Sequence, residues 1–181
     1  MTRALCRLIL YKLLGWHAEI SVERPKKYII ALAPHTSNWD FIMGILYSRA
    51  EGFKAEFLMK KEWFFWPLGP LFRHLGGIPV VRDRRTSMTD QLAQIAQQRD
   101  TFSLCITPEG TRRPTSEWKR GFYYIALKAN IPILLYGLDY GKRRIVSTRA
   151  IVPDGHVEEQ MEEIKNYFIG CKGKYPENFI I

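Results

Sequence analysis

A histidine and an aspartate stand five residues apart in the segment Pro34-His35-Thr36-Ser37-Asn38-Trp39-Asp40. Imidazole takes up and returns a proton near neutrality more readily than any other side chain. A carboxylate bonded to one of its nitrogens fixes the tautomer and leaves the other nitrogen as a base. On one continuous helix the two side chains would point about 140° apart, by the 3.6-residue period. They meet only if His35 stands in a loop and Asp40 in the first turn of the helix that follows. The turn-favouring Thr36, Ser37 and Asn38 allow that. The same residues also fit a plainer reading, in which Ser37 and Asp40 form a capping box and His35 is incidental.

A second loop, Thr107-Pro108-Glu109-Gly110-Thr111-Arg112-Arg113, follows an apolar run. A carboxylate and two guanidiniums beside a glycine suit a polyol phosphate, with Glu accepting from a hydroxyl and Arg binding phosphate by paired hydrogen bonds. A solvated turn whose charges pair with each other has the same composition. The third segment is Gly76-Gly77-Ile78-Pro79-Val80-Val81-Arg82, continued by Asp83, Arg84 and Arg85. Glycines before a strand and a basic cluster after it form an anion site or a solvated basic turn.

The elements that position these loops can be read from periodicity. Thr2 to Leu14 reads as a basic, apolar helix carrying Arg3, Arg7 and Lys12, either interfacial on anionic lipid or packed on the domain. Strands are expected at Tyr28–Ala33, Glu56–Met59, Ile78–Val81, Ser103–Thr107 and Ile131–Tyr136. A turn at Gly141 leads to a hairpin strand from Arg144 to Ala150. Helices are expected over Trp39–Ser48, Trp63–Leu75, Met88–Arg99 (with a capping box at Ser87 and Asp90), Trp118–Asn130 and His156–Phe168. Strands alternating with helices predict an α/β layer fold with a mostly parallel central sheet flanked by helices. In such folds the loops at the carboxyl ends of strands collect ligands. Two units are expected: a helix over 1–16 and a single domain over 17–181.

With 181 residues the chain can bury a proper core. Its 27 Lys and Arg against 18 Asp and Glu give a formal charge of +9. That favours an acidic partner: nucleic acid, an anionic membrane surface, a phosphorylated small molecule or an acidic carrier protein. The basic residues are scattered and no nucleic-acid motif is found, which argues against the first. Cys6, Cys105 and Cys171 are odd in number and widely spaced, so neither a disulfide framework nor a zinc site is expected and a reducing cytoplasm fits. No apolar run reaches the roughly 18–20 residues of a membrane span, and the first 16 residues lack the pattern of a signal peptide. The expectation is a soluble or peripheral protein.

Taken together, the three loops resemble the glycerolphosphate and lysophospholipid acyltransferase family. His35 and Asp40 match its H-x4-D motif, Gly77 and Arg82 its second block, and Pro108-Glu109-Gly110-Thr111-Arg112 its third. Ile131-Pro132-Ile133 is similar to the start of its fourth. Lys60-Lys61-Glu62 and Lys119-x-Gly121 also look like the family, and the resemblance covers roughly residues 28–138. There are departures: Val81 where an acid is common, Thr107 where an aromatic is usual, Leu134 for a proline and Pro34 for an asparagine. They leave the proposed base in place and weaken the choice of acceptor.

The resemblance implies an O-acyltransferase of phospholipid synthesis, peripheral on the cytoplasmic face of a membrane. It would move a fatty acyl group from acyl-CoA or acyl carrier protein to the free hydroxyl of 1-acyl-glycerol-3-phosphate or a similar lyso-lipid. His35 would take the hydroxyl proton, Asp40 would orient the ring, and Arg82 and Arg112 would hold the acceptor phosphate, with Lys61 a further candidate. Glu109 and Gly110, in the block that also includes Thr111, would position the glycerol part. No metal and no cofactor beyond the acyl donor are implied. A lyso-aminolipid, a glycolipid or another hydroxylated lipid is the alternative acceptor, and a non-catalytic lipid-binding module the alternative class. The aromatic run Trp63-Phe64-Phe65-Trp66-Pro67-Leu68 reads as a membrane-facing or acyl-binding surface, or as core.

Overall fold

The computed structural model describes residues 2–80 and 87–181. Among them, β1 (His17–Ile20), β2 (Lys27–Ala33), β3 (Glu56–Lys60), β4 (Gly77–Val80), β5 (Phe102–Ile106), β6 (Ile133–Asp139), β7 (Arg144–Ser147) and β8 (Ala150–Ile151) form one sheet. Its order is β1-β7-β6-β2-β5-β3-β4, with β8 pairing β6. The run β6-β2-β5-β3-β4 is parallel throughout, while β7 and β8 pair antiparallel to β6. This is the expected α/β fold with a mostly parallel sheet.

The helices are α1 (Arg3–Arg7), α2 (Trp39–Glu51), α3 (Leu68–Leu75), α4 (Met88–Gln98), α5 (Gly121–Ala129) and α6 (Val157–Tyr167). They cover both faces, which is why the central strands are apolar on both sides. In β2, Ile29, Ala31 and Ala33 enter a core with α4, α5 and α6. Tyr28, Ile30 and Leu32 enter a second core with α1 and α2. Among the described residues no helix is long and apolar enough to cross a membrane.

Strands β2 and β5 are neighbours, yet their connections leave in opposite directions. From β2 the chain passes through α2 to β3, beyond β5; from β5 it passes through α5 to β6, beyond β2. With right-handed crossovers the two helices fall on opposite faces, so a crevice opens between the carboxyl ends of β2 and β5. The His35 and Glu109 loops start there.

Several elements depart from the periodicity reading. The N-terminal helix continues past Arg7 as a π-helix over Leu8–Leu13, with Leu14 N–H donating to the Ile9 carbonyl at 2.9 Å. It packs on α2 through buried Cys6 and Leu10 and the Arg7–Glu51 ion pair at 2.7 Å, while Leu5, Leu8, Leu13 and Leu14 stay exposed. The aromatic stretch is split into a 3-10 turn at Lys61–Trp63 and α3, because Pro67 disfavours helical backbone in the residue before it. Helix α5 starts at Gly121 rather than Trp118: Lys119 N–H is drawn to the Pro108 carbonyl at 2.7 Å and Trp118 is buried against Phe168 and Phe179. Strand β1, mostly exposed, shows no apolar alternation and is invisible in the sequence. The capping box at Ser87 forms, its Oγ accepting from Asp90 N–H at 3.1 Å.

Candidate active site

Pro34 ends β2, and the next residues turn before α2 begins at Trp39. Asp40 therefore lies in the first turn, where a carboxylate favours the helix N-terminus. Its side chain is wholly buried and points back over the loop. Oδ2 accepts from the backbone N–H groups of Thr36 and Ser37, each at 2.8 Å, and lies 3.1 Å from Nδ1 of His35. Because an ionised carboxylate only accepts, Nδ1 carries the ring proton and Nε2 keeps the lone pair. The capping box is not closed: Asn38 stands at the N-cap and Ser37 Oγ accepts from Trp39 N–H at 3.1 Å, so only the Asp40 half of it forms. The carboxylate that ties down the loop's amides also holds the imidazole, whose side chain is 19% exposed.

Glu109 reaches the same place from the end of β5. It is buried, and its Oε1 accepts the backbone N–H of His35 at 2.7 Å, a contact no spacing rule suggests. Its Oε2 has no hydrogen-bond partner among the described residues. Burial pushes the Glu109 carboxyl up to about 7, against the opposing pull of its backbone bonds and His35. Gly110 follows with φ +64°, a left-handed turn that glycine adopts without strain, and a Cβ there would meet Lys119 Cγ at 3.2 Å. Thr111 turns its Oγ1 to the backbone N–H of Arg113 at 3.2 Å, and Arg112 is exposed beyond it.

Other supports come from parts of the chain that the motif reading did not touch. The Tyr140 hydroxyl donates to Oδ1 of Asp40 at 2.8 Å. Thr36 Oγ1 accepts the Tyr175 N–H at 3.2 Å. Gly173 lies so close that a Cβ there would sit 2.7 Å from both Thr36 Oγ1 and Cγ2. One signal for Tyr140 was present in the sequence: a hydroxyl-bearing residue just past the carboxyl end of β6, the strand beside β2. For Gly173 and Tyr175, more than 130 residues from Thr36, there was none.

The structure brings His35, Asp40 and Glu109 together. Lys61 is exposed at the carboxyl end of β3, two strands from β2 on the same edge of the sheet. Arg82, the basic residue of the second block, lies outside the described residues, as do Val81, Asp83, Arg84 and Arg85.

Residues 17–135 match the family model described as Acyltransferase, which is more than half of the chain. Human 1-acyl-sn-glycerol-3-phosphate acyltransferase beta is 32% identical over 85 residues, covering 42% of this chain. The match spans only 30% of that relative's length. Among solved structures, the 1-acyl-sn-glycerophosphate (LPA) acyltransferase PlsC from Thermotoga maritima superposes with a TM-score of 0.64 at 16% identity. The superposition covers 91% of this chain and 74% of that one, a likeness of fold.

Proposed function

This chain belongs to the acyltransferase family, and we propose from that premise that it transfers a fatty acyl group from a thioester to a hydroxyl of a lysophosphatidic acid-like acceptor. The observation that carries the reading is the Nδ1–Asp40 bond of His35, which leaves Nε2 as a partly buried base at the crevice between β2 and β5. As the acceptor oxygen attacks the thioester carbonyl carbon, its proton passes to Nε2 and the carbonyl electrons move onto oxygen. Collapse of the tetrahedral adduct breaks the carbon–sulfur bond. A thiol with a pKa of about 8.5 leaves as thiolate without a strong acid, and the imidazolium returns the proton to it. Asp40 stabilises the imidazolium, as in the Ser-His-Asp arrangement with the substrate hydroxyl in place of serine.

The acceptor class is supported by the two relatives, a 1-acyl-sn-glycerol-3-phosphate acyltransferase and a 1-acyl-sn-glycerophosphate (LPA) acyltransferase. Arg82, Arg112 and Lys61 are the proposed phosphate partners, and the Gly110–Thr111 turn lines the acceptor side. The donor is acyl-CoA or acyl carrier protein, both anionic and suited to a +9 chain.

The reaction takes place at an anionic membrane surface on its cytoplasmic face. Trp39, Phe41 and Ile42, at the start of α2, are exposed, as are Trp63, Phe65 and Trp66, just after β3. Both groups lie at the carboxyl edge of the sheet, the edge that holds His35. Tryptophan favours the bilayer interface, and Lys174 Nζ sits 4.5 Å over the Trp39 ring as a neighbouring positive charge.

The test is to incubate the protein and its His35→Ala variant with a palmitoyl thioester, lysophosphatidic acid and a panel of other lyso-lipids, reading products by mass spectrometry. Phosphatidic acid formed only by the intact protein is the expected result. Product from another lyso-lipid corrects the acceptor, and equal turnover by His35→Ala removes the mechanism. Arg112→Ala is expected to raise the acceptor KM more than it lowers kcat.

A further inference from the structure

The Asp40 carboxylate is held on two sides. Oδ2 serves the His35 loop, whereas Oδ1 accepts from the Tyr140 hydroxyl at 2.8 Å. Tyr140 is fixed in turn. Its backbone N–H donates to the Lys172 carbonyl at 2.8 Å, and its ring meets Trp16 edge-on with centroids 5.0 Å apart. Trp16, Tyr140 and Lys172 all lie outside the 17–135 stretch that matches the family model. Burial, and then the bond to Asp40, hold the phenol above the usual tyrosine range, so it stays a donor through neutral pH.

We propose that Tyr140 is a positioning residue that sets the strength of the His35–Asp40 pair. Three donors on Oδ2 already hold the carboxylate in place, and the phenol on Oδ1 adds a fourth. The same donor draws negative charge away from Oδ2 and tempers the pull of Asp40 on the imidazolium. With the phenol removed, the three donors on Oδ2 keep the carboxylate in place, its charge is less shared, and the imidazolium is stabilised. The ionisable groups the structure couples to His35 include Asp40 from α2, Glu109 from the β5 loop and, through Asp40, Tyr140 from the turn after β6. Glu109 is common to both proteins compared below, so a difference between them reports on Tyr140.

The catalytic consequence rests on the acyl-transfer reading; the electrostatic one does not. The experiment is an NMR titration of the His35 imidazole in the wild type and in Tyr140→Phe, which keeps the ring against Trp16. The resonance is assigned by its loss in His35→Ala, and both proteins are assayed in parallel for kcat and acceptor KM across pH. The expected result is a His35 midpoint raised by about half to one pH unit in Tyr140→Phe. The acid limb of the rate profile should move with it, so that a unit below the midpoint kcat falls by up to about tenfold while acceptor KM holds. A midpoint that is unchanged or lower overturns the proposal whatever the activity. A midpoint raised in Tyr140→Phe, beside a wild type that turns over no thioester–acceptor pair, keeps Tyr140 in its role and removes the acyl-transfer reading instead.

Discussion

Glu109 Oε1 accepts the backbone N–H of His35 at 2.7 Å, so the residue that supplies the base is tied by its main chain to the loop of the neighbouring strand. The carboxyl that makes this tie is buried, with Oε2 unpartnered among the described residues. The arrangement trades stability for a fixed base, and the cost depends on pH.

Folding lifts the Glu109 carboxyl from its ordinary 4.5 to about 7. Between those values the folded chain holds a proton that the unfolded chain has released. Stability is therefore full below about pH 4.5, falls as pH rises through 7 and levels off above it, a loss of about 3 kcal/mol from this group. Glu109→Gln keeps an oxygen for the His35 N–H and removes the titration. Urea unfolding at pH 5, 6, 7 and 8 should show the wild-type curve steeper than that of the variant across the window. Parallel curves would mean that Glu109 does not titrate there.

Asp40 accepts at both oxygens, and an asparagine in its place must aim an amide N–H at one of those donors. Where it faces His35 the imidazole is driven to the other tautomer, with the proton on Nε2. Asp40→Asn is expected to lower kcat by about 10³–10⁴-fold in a protein that still folds, with a stability loss of about 1–3 kcal/mol. Circular dichroism and single-turnover rates separate the two effects. A loss of activity below about tenfold would take Asp40 out of the machinery.

The contact of Gly173 with Thr36 couples the C-terminal segment to the His35 loop. Gly173→Ala places a methyl 2.7 Å from two atoms of Thr36 and should cost about 1–3 kcal/mol. Thr36→Ala removes both atoms, so the double variant should lose less than the sum of the singles by about 1 kcal/mol or more. Additive losses in the thermal or urea cycle would show that the two residues do not press on each other.

Trp66 is 84% exposed and Trp63 about half exposed. At about 25 cal/mol per Å² of apolar surface, an indole sinking partly into lipid contributes roughly 1–2 kcal/mol, about tenfold in partitioning. Trp63→Ser with Trp66→Ser should weaken binding to vesicles rich in phosphatidylglycerol by that order or more. Neither residue enters the buried cores, so the fold should hold. Unchanged sedimentation with vesicles would move the lipid-facing surface elsewhere, for instance to the exposed leucines of the N-terminal helix.

The alternation of helices and strands was legible in the chain, since the short apolar runs of β2, β5 and β6 between turn residues fit strands buried in a layered sheet. The sequence by itself also determined that His35 and Asp40 could meet, because their spacing and the turn residues between them put one in a loop and the other on a helix. Blocks in order and at reasonable spacing carried the family. What it could not set was which loops share an edge. That Glu109 clamps the His35 main chain follows from β2 and β5 being neighbours, a pairing between residues some 75 apart that no local period encodes. Tyr140, Gly173 and Tyr175 reach the site only through the return of β6 and the C-terminal segment across it. Local propensity reads neighbours along the chain, whereas the environment of a buried carboxylate is made by whatever the fold packs around it. The contacts that Glu109 and Tyr140 make with the His35–Asp40 pair are therefore set by the tertiary structure.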